Sequence, residues 1–302
     1  MSELASESFN AERPRTRTPS AHAWMPQSPC GPSCVTGGTF RRVSVVRVTL
    51  RVLAAVAVLL SGLLVVAAKP GLRSNTRHAV RRWFASLVRA FGVRIEVHGA
   101  PRFQATPGRG VLVVSNHVSW LDSLVLNAVQ PMAMVAKLDI RGWPLLGQLI
   151  SAAGSVFIDR ERLSRLPETV SELSEALRAG LAIGTNPEGT TWCGISSGRF
   201  RPALLQSALD AGVPVRPVAL RYRLADGTTA RHAAFVGTED LVTAMRRVFR
   251  LRGLVVEVHV LPEIAPGRAD NRRDLALIAE ADVAKALGTT VALHNELDLQ
   301  RA

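Results

Sequence analysis

Lysine, tyrosine and cysteine are all scarce in this 302-residue chain, and long apolar runs are nearly absent. Of its 37 basic residues only Lys69, Lys137 and Lys285 are lysine, an arginine excess that carries no mechanism by itself. The three cysteines, Cys30, Cys34 and Cys193, are too few for a disulfide framework in a chain of this size, and a reducing compartment is the natural reading. Cys30 and Cys34 stand in CGPSC, inside a Ser/Thr/Pro/Arg-rich start (residues 1–42) without apolar periodicity. Such a segment buries too little surface to order itself, and it offers too few ligands for a metal, so the pair reads as incidental and no metal site is expected. Pro 17 and Gly 23 exclude a collagen-like repeat, and a hydrophobic fraction of 47% excludes a wholly disordered chain. One long apolar run is too little for a polytopic membrane protein.

Acidic residues are in deficit, 24 against 37 basic, and the imbalance is confined to one end. Residues 1–110 hold 16 basic and 4 acidic groups, and residues 111–302 hold 21 and 20. A nearly neutral body with a basic front excludes a uniformly basic nucleic-acid binder. Within the front, residues 52–68 form 17 consecutive positions without a charge. At ~1.5 Å per residue this run is about 25 Å long, just short of the ~30 Å hydrocarbon core of a bilayer. Arg47, Arg51 and Lys69 flank it and are able to snorkel to the interfaces. A cleaved signal peptide is disfavoured by the roughly 50 residues ahead of the run and by the lack of an A-x-A-like site. A soluble core helix is the remaining alternative. The slight excess of basic groups after the run keeps the C-terminal body in the cytoplasm.

Beyond Pro70 and Gly71 the period becomes helical. Ala79, Val80, Trp83, Phe84, Leu87, Val88 and Phe91 make one stripe, and Arg73, Arg77, Arg81, Arg82 and Arg89 crowd the rest. A basic amphipathic helix of this kind suits an anionic bilayer surface, and equally a helix packed on the body with a solvated basic face. The division expected is a tail at 1–42, a membrane anchor at 43–69, a basic amphipathic helix at 70–92, a catalytic domain at 93–290 and a C-terminal tail at 291–302.

Over the body, strand patterns at 93–98, 111–114, 132–136, 155–158, 181–185, 215–222 and 255–261 alternate with helical patterns. The helices are expected after Ser119 and at 140–150, 166–179, 204–211 and 270–287. The alternation predicts an α/β fold, a mixed central sheet with helices on both faces, preceded by the N-terminal membrane-anchoring helical segment.

Chemistry-bearing residues sit where strands end. His117 follows an apolar strand, and Asp122 falls in the first turn of the next helix. If His117 lies in the turn, its imidazole folds back onto the Asp122 carboxylate, which fixes the tautomer and leaves the other nitrogen to take a proton. With no serine or cysteine nucleophile supplied, such a pair points to direct deprotonation of a substrate hydroxyl. A purely structural pair is the alternative. Arg160, in GSVFIDR, is either a phosphate anchor or a surface partner of Asp159 or Glu161. Residues 186–191, NPEGTT, form either a ligand loop, in which Gly189 permits close backbone approach, or an ordinary turn.

Four blocks, NHVSWLD (116–122), GSVFIDR (154–160), NPEGTT (186–191) and VPVRPV (213–218), stand in this order. Together they resemble the phospholipid/glycerol acyltransferase family typified by 1-acyl-glycerol-3-phosphate acyltransferases, over roughly residues 75–265. The resemblance implies that His117 is the general base on the acceptor hydroxyl and that Asp122 orients it. It implies attack on the thioester of acyl-CoA or acyl carrier protein without an acyl-enzyme. Asn116, Glu188 and Gly189 then belong to the acceptor site, the Gly189 and Thr190 N–H groups are oxyanion donors, and Arg160 binds acceptor phosphate. The implied partners are an acyl thioester donor, a lysophospholipid acceptor and membrane lipids, with no metal or prosthetic group. The implied location is the cell membrane, catalytic domain towards the cytoplasm. One departure stands out: Thr191 occupies the place of the family's usual arginine, with Arg199 and Arg201 close enough in sequence to substitute. Lysophosphatidic acid is therefore the leading acceptor, and another lyso-lipid or a glycolipid hydroxyl the alternative. A lipid hydrolase of the serine type is opposed by the lack of a G-x-S-x-G elbow. A non-catalytic lipid-binding protein of the same fold is opposed by the His117/Asp122 pair.

Overall fold

The computed structural model describes residues 26–36, 40–67, 76–143, 147–148, 154–159 and 162–289. Its centre is β2 (Val111–Ser115), in which every residue is buried. Val111 and Val113 point into one apolar cluster, Leu112 and Val114 into a second on the opposite face, as a two-residue period dictates. Parallel neighbours flank it, β5 (Ala182–Thr185) on one side and β6 (Val215–Arg223) on the other. Beyond β5 lie β3 (Ala133–Lys137) and β4 (Val156–Ile158), both parallel. Beyond β6 lies β7 (Leu254–Val260), antiparallel to it, and then β1 (Val93–Gly99), parallel to β7. The order is β1-β7-β6-β2-β5-β3-β4, a mixed sheet as expected.

Helices cover both faces. Residues of α3 (Thr76–Ala90), α4 (Leu121–Val129) and α7 (Leu241–Arg250) join the first cluster. Those of α5 (Leu166–Arg178), α6 (Gln206–Ala211) and α8 (Arg272–Leu287) join the second. Fully buried leucines such as Leu121, Leu126, Leu173 and Leu205 contribute about 1.5–3 kcal/mol each by transfer from water. α7 is a helix without a sequence expectation behind it, capped by Asp240, whose carboxylate accepts from Thr243 N–H. Of the helix expected at 140–150, the described part is a 3-10 turn over Leu138–Gly142 and, at 147–148, helical residues whose Gly147 N–H donates to Trp143 O at 2.9 Å; residues 144–146 and 149–150 lie outside the described residues.

Two findings revise the expected front. The first is the tail. Residues 26–36 form a packed strap that includes α1 (Pro32–Thr36), with Cys30 and Val35 buried. Its order comes from contact with the body, which composition does not register. Residues 1–25 and 291–302 lie outside the described residues. The second concerns the flanking arginines: α2 (Val45–Ala67) falls within the 43–69 expected of the anchor, and Arg47 and Arg51 lie on the helix itself, so Arg51 is used by the body. The Arg51 guanidinium donates to the Phe249 and Leu251 carbonyls, both at 2.8 Å, satisfying groups that the end of α7 leaves without helical partners. Trp83 of α3 donates its indole N–H to Val58 O at 2.8 Å. α2 thus lies against the body along one side, while Val46, Leu50, Leu53, Val56 and Leu60 stay exposed on the other. By length and composition it is the one described helix able to cross a membrane.

Candidate active site

β2 ends at Ser115, and the chain turns at Asn116 and His117 before α4 begins, so the imidazole emerges at the carboxyl end of a central strand, where open α/β sheets place ligands. Asn116 is buried; its side-chain amide donates to Leu220 O at 3.0 Å and accepts from Leu220 N–H at 2.8 Å. Both bonds tie the turn to β6. Asn116 is therefore a brace beneath the site, which corrects its expected place among acceptor contacts.

His117 Nδ1 lies 2.7 Å from Asp122 Oδ2, with the imidazole 23% exposed and the carboxylate wholly buried. The Val118 and Ser119 N–H groups donate to the same oxygen at 2.8 and 3.0 Å. Tyr222 O–H donates to Oδ1 at 2.5 Å. Four donors for one carboxylate satisfy a charge that has no water to solvate it. Tyr222, the only tyrosine of the chain, was not among the expected site residues. Its position on β6 is legible from strand alternation, but its partner, 100 residues away, is not. Burial, followed by the Asp122 charge, pushes the Tyr222 phenol well above its ordinary value, so it remains a donor. A hydrogen bond to a charged group is worth about 1.5–3 kcal/mol. Tyr222→Phe is thus expected to lower kcat by roughly tenfold or more with little change in KM, measured from initial rates in membranes.

The 186–191 loop is locked beneath His117. Glu188 is buried; its Oε2 accepts His117 N–H at 2.6 Å and its Oε1 accepts Gly198 N–H at 2.9 Å. Burial raises its carboxyl well above the ordinary glutamate value, against the lowering effect of those two N–H groups. With both oxygens on backbone, Glu188 is a cross-brace between two loops, which revises its expected contact with acceptor. Asn186, in the place of the family's usual phenylalanine, donates to Ser115 Oγ at 2.9 Å and Asn116 O at 3.1 Å, pinning the loop to the end of β2. Gly189 takes φ +74°, and a Cβ there would meet Pro26 of the strap at 2.5 Å. The Gly189 N–H donates to Asn186 O at 3.0 Å, closing the turn, and so is committed away from the expected oxyanion role. Thr190 is half-buried at the loop's end.

Thr191 does not stand in for arginine: its hydroxyl donates to Phe235 O. Of the two basic candidates, Arg201 runs beside Gly189, 3.6 Å from where a Cβ would stand, and burial lowers its pKa. Arg199 is exposed and its charge acts on Glu280. The structure therefore brings Arg201 to the loop and leaves Arg199 outside. Arg160 lies outside the described residues. A further residue missed by sequence is Trp192, whose backbone N–H donates to His117 O at 2.7 Å. Ser119, two positions past His117, gives its hydroxyl to Ala233 O at 2.7 Å and so is not a nucleophile poised on the imidazole.

A histidine held by a buried carboxylate, on the carboxyl end of a doubly covered sheet, is an arrangement with the chemistry to take a proton. Comparison with known proteins gives the arrangement its family. The model of the family described as "Acyltransferase" matches residues 94–221. The chain is 39% identical over 214 residues to the lyso-ornithine lipid O-acyltransferase of Pseudomonas aeruginosa, covering 70% of this chain and 79% of that protein. It is 37% identical over 149 residues to the 1-acyl-sn-glycerol-3-phosphate acyltransferase of Neisseria gonorrhoeae, covering 49% of this chain and 58% of that protein. The crystal structure of the 1-acyl-sn-glycerophosphate (LPA) acyltransferase of Thermotoga maritima superposes with a TM-score of 0.64 at 18% identity, over 80% of this chain and 94% of that one, a likeness of fold. The chain belongs to the acyltransferase family.

Proposed function

We propose that this protein moves a fatty acyl group from an acyl thioester, acyl-CoA or acyl carrier protein, to the free hydroxyl of a lyso-lipid, with His117 as the general base. The His117–Asp122 contact carries the reading. With Nδ1 held by the carboxylate, Nε2 takes the proton of the acceptor hydroxyl as its oxygen attacks the thioester carbonyl. The tetrahedral oxyanion then collapses, the carbon–sulfur bond breaks, and the departing thiolate takes the proton back from the imidazolium. Asp122 stabilises the imidazolium formed between the two transfers. Thr190 N–H is the donor of the 186–191 loop assigned to the oxyanion. Atoms and charge balance without a metal or prosthetic group at the thioester.

For the acceptor, the reading favoured is a lyso-lipid with an amino-acid head group, of the lyso-ornithine lipid kind. Its support is Thr191, whose hydroxyl turns to Phe235 O where the family's arginine would meet phosphate, together with the 39% identity to a lyso-ornithine lipid O-acyltransferase. Lysophosphatidic acid is the second reading, favoured by Arg201 beside Gly189. Labelled acyl-CoA and acyl carrier protein offered with lyso-ornithine lipid, lysophosphatidic acid and an uncharged lyso-lipid decide between them. Transfer preferring lyso-ornithine lipid is the expected result. Preference for lysophosphatidic acid overturns the acceptor assignment, and an absence of transfer to all three overturns the activity.

The same reading places the protein at the cell membrane with the catalytic body on the cytoplasmic side. It rests on the exposed apolar stripe of α2 and the arginines of α3. Leu50→Asp with Leu53→Asp, both side chains exposed, is expected to release the protein from vesicles while leaving its unfolding free energy within about 1 kcal/mol, some ~0.5 kcal/mol for each surface change. Flotation of the double variant with the vesicles would count against the stripe as the membrane contact.

A further inference from the structure

The two cysteines of the tail, incidental by sequence, meet the third. The sulfurs of Cys30, Cys34 and Cys193 all lie within 4.8 Å of one another. Cys30 and Cys193 are buried and Cys34 is half-buried. Cys30 precedes α1 and Cys34 lies in its first turn, so C-x3-C on a turn points two sulfurs the same way, a spacing common among thiolate metal sites. Cys193 arrives from the segment following the 186–191 loop, and its N–H donates to Cys30 Sγ at 3.3 Å. The tail alone offered too few ligands, and the body supplies the missing one.

Three converging thiols are one more than a disulfide uses. Tetrahedral zinc with Zn–S of ~2.3 Å holds its sulfurs about 3.8 Å apart, inside the 4.8 Å limit that the three sulfurs share here, whereas a disulfide at ~2.05 Å joins two sulfurs and strands the third. Donors already converge on the Cys193 sulfur: the Cys30 thiol is turned to it, and it also receives the Ile195 and Ser196 N–H groups.

We propose that Cys30, Cys34 and Cys193 form a three-thiolate site for a soft d10 cation, zinc first, that clips the N-terminal strap onto the loop beneath the catalytic histidine. Among the described residues no other Cys, His, Asp or Glu belongs to the group, so the fourth position, on the half-exposed Cys34 side, falls to water or an external ligand. The role is positional. Trp192, adjacent to Cys193, holds His117 O, and Pro26 at the start of the strap covers Gly189. An ion joining Cys193 to Cys30 and Cys34 therefore fixes the strap against both the base and the acceptor-side loop.

The test uses the full chain, extracted in detergent under reducing conditions without chelator. Elemental analysis is expected to find about one zinc per chain. Reconstitution with Co2+ is expected to give thiolate-to-cobalt charge-transfer absorption. Cys34→Ser, at the half-exposed corner, is expected to keep the circular dichroism of the wild type, to lose the metal and the cobalt band, and to open residues 26–36 to protease. Cys193→Ser serves as a second variant, read the same way if it folds. Reduced protein that binds neither ion overturns the proposal. So does full metal retention by Cys34→Ser, or a Cys30–Cys193 disulfide found by mass spectrometry in protein isolated without reductant. Metal content and absorption are independent of the assigned acceptor, so failure here and failure of the acyltransferase reading are separately visible.

Discussion

His117→Ala is expected to lower kcat/KM by roughly 10²–10⁴-fold, the range over which a positioned general base acts. The loss should fall on kcat, because the imidazole meets the acceptor hydroxyl as its proton leaves and contributes little to holding the lipid in the ground state. Folding should be nearly unaffected. The contacts that order the loops pass through His117 N–H and His117 O, and both are backbone groups that alanine retains. The measurement is thiol release from an acyl thioester at saturating acceptor, alongside an unfolding curve. A variant that turns over within a few-fold of wild type would refute the base assignment.

Glu188→Ala should act in the opposite way, through the fold. Removing the carboxylate leaves the His117 and Gly198 N–H groups buried without their acceptor. Each such loss costs about 1–3 kcal/mol, so together about 2–6 kcal/mol, a large part of an ordinary domain's ~5–15 kcal/mol. The variant should unfold at markedly lower denaturant and lose activity with it. Glu188 also leaves a pH signature. Its carboxyl is raised by burial, so the folded chain ionises at higher pH than the unfolded one. Its contribution is fully present below the ordinary glutamate value and declines as pH rises towards the folded value, because the folded state holds the extra proton there. Denaturation midpoints across that window should fall with rising pH in the wild type, and this component of the slope should be missing from Glu188→Ala. Equal slopes in the two proteins would contradict it.

What was legible in the sequence is what short-range pattern encodes. The uninterrupted run at 111–114 announces a strand buried on both faces, and it is the central one. The five-residue step from His117 to Asp122 suffices to predict that they meet if the first stands in a turn, and they do at 2.7 Å. Long-range partners were not legible. Asn116 and Glu188 sit inside the motifs that suggest ligand contacts, yet their bonds run to Leu220 and Gly198 and to the backbone of His117 itself. Motif membership marks a residue as necessary to the site without distinguishing touching from bracing. Tyr222 carried no local signal beyond being an inward position on a strand. The order of residues 26–36 was hidden for a similar reason, since the apolar partners of Cys30 and Val35 belong to the body. α7 was hidden differently. Its cap, Asp240 with Thr243, is readable, but its arginines give the segment the look of a solvated loop.

The long reach of these contacts also sets when, in the making of the molecule, the site can first exist. His117 and Asp122 are close in the chain, but the N–H of His117 waits for a carboxylate 71 residues further on, Asp122 for a phenol 100 residues on and Asn116 for a backbone 104 residues on. Non-local pairings of this kind form late, after the entropy of closing large loops has been overcome. On the ribosome, where the chain is extended from its N-terminus, the apolar helix and the catalytic pair emerge well before Tyr222 does. The apolar helix is therefore complete while His117 and Asp122 are still without the groups that hold them, and the arrangement around the imidazole is assembled only once β6 has closed on β2.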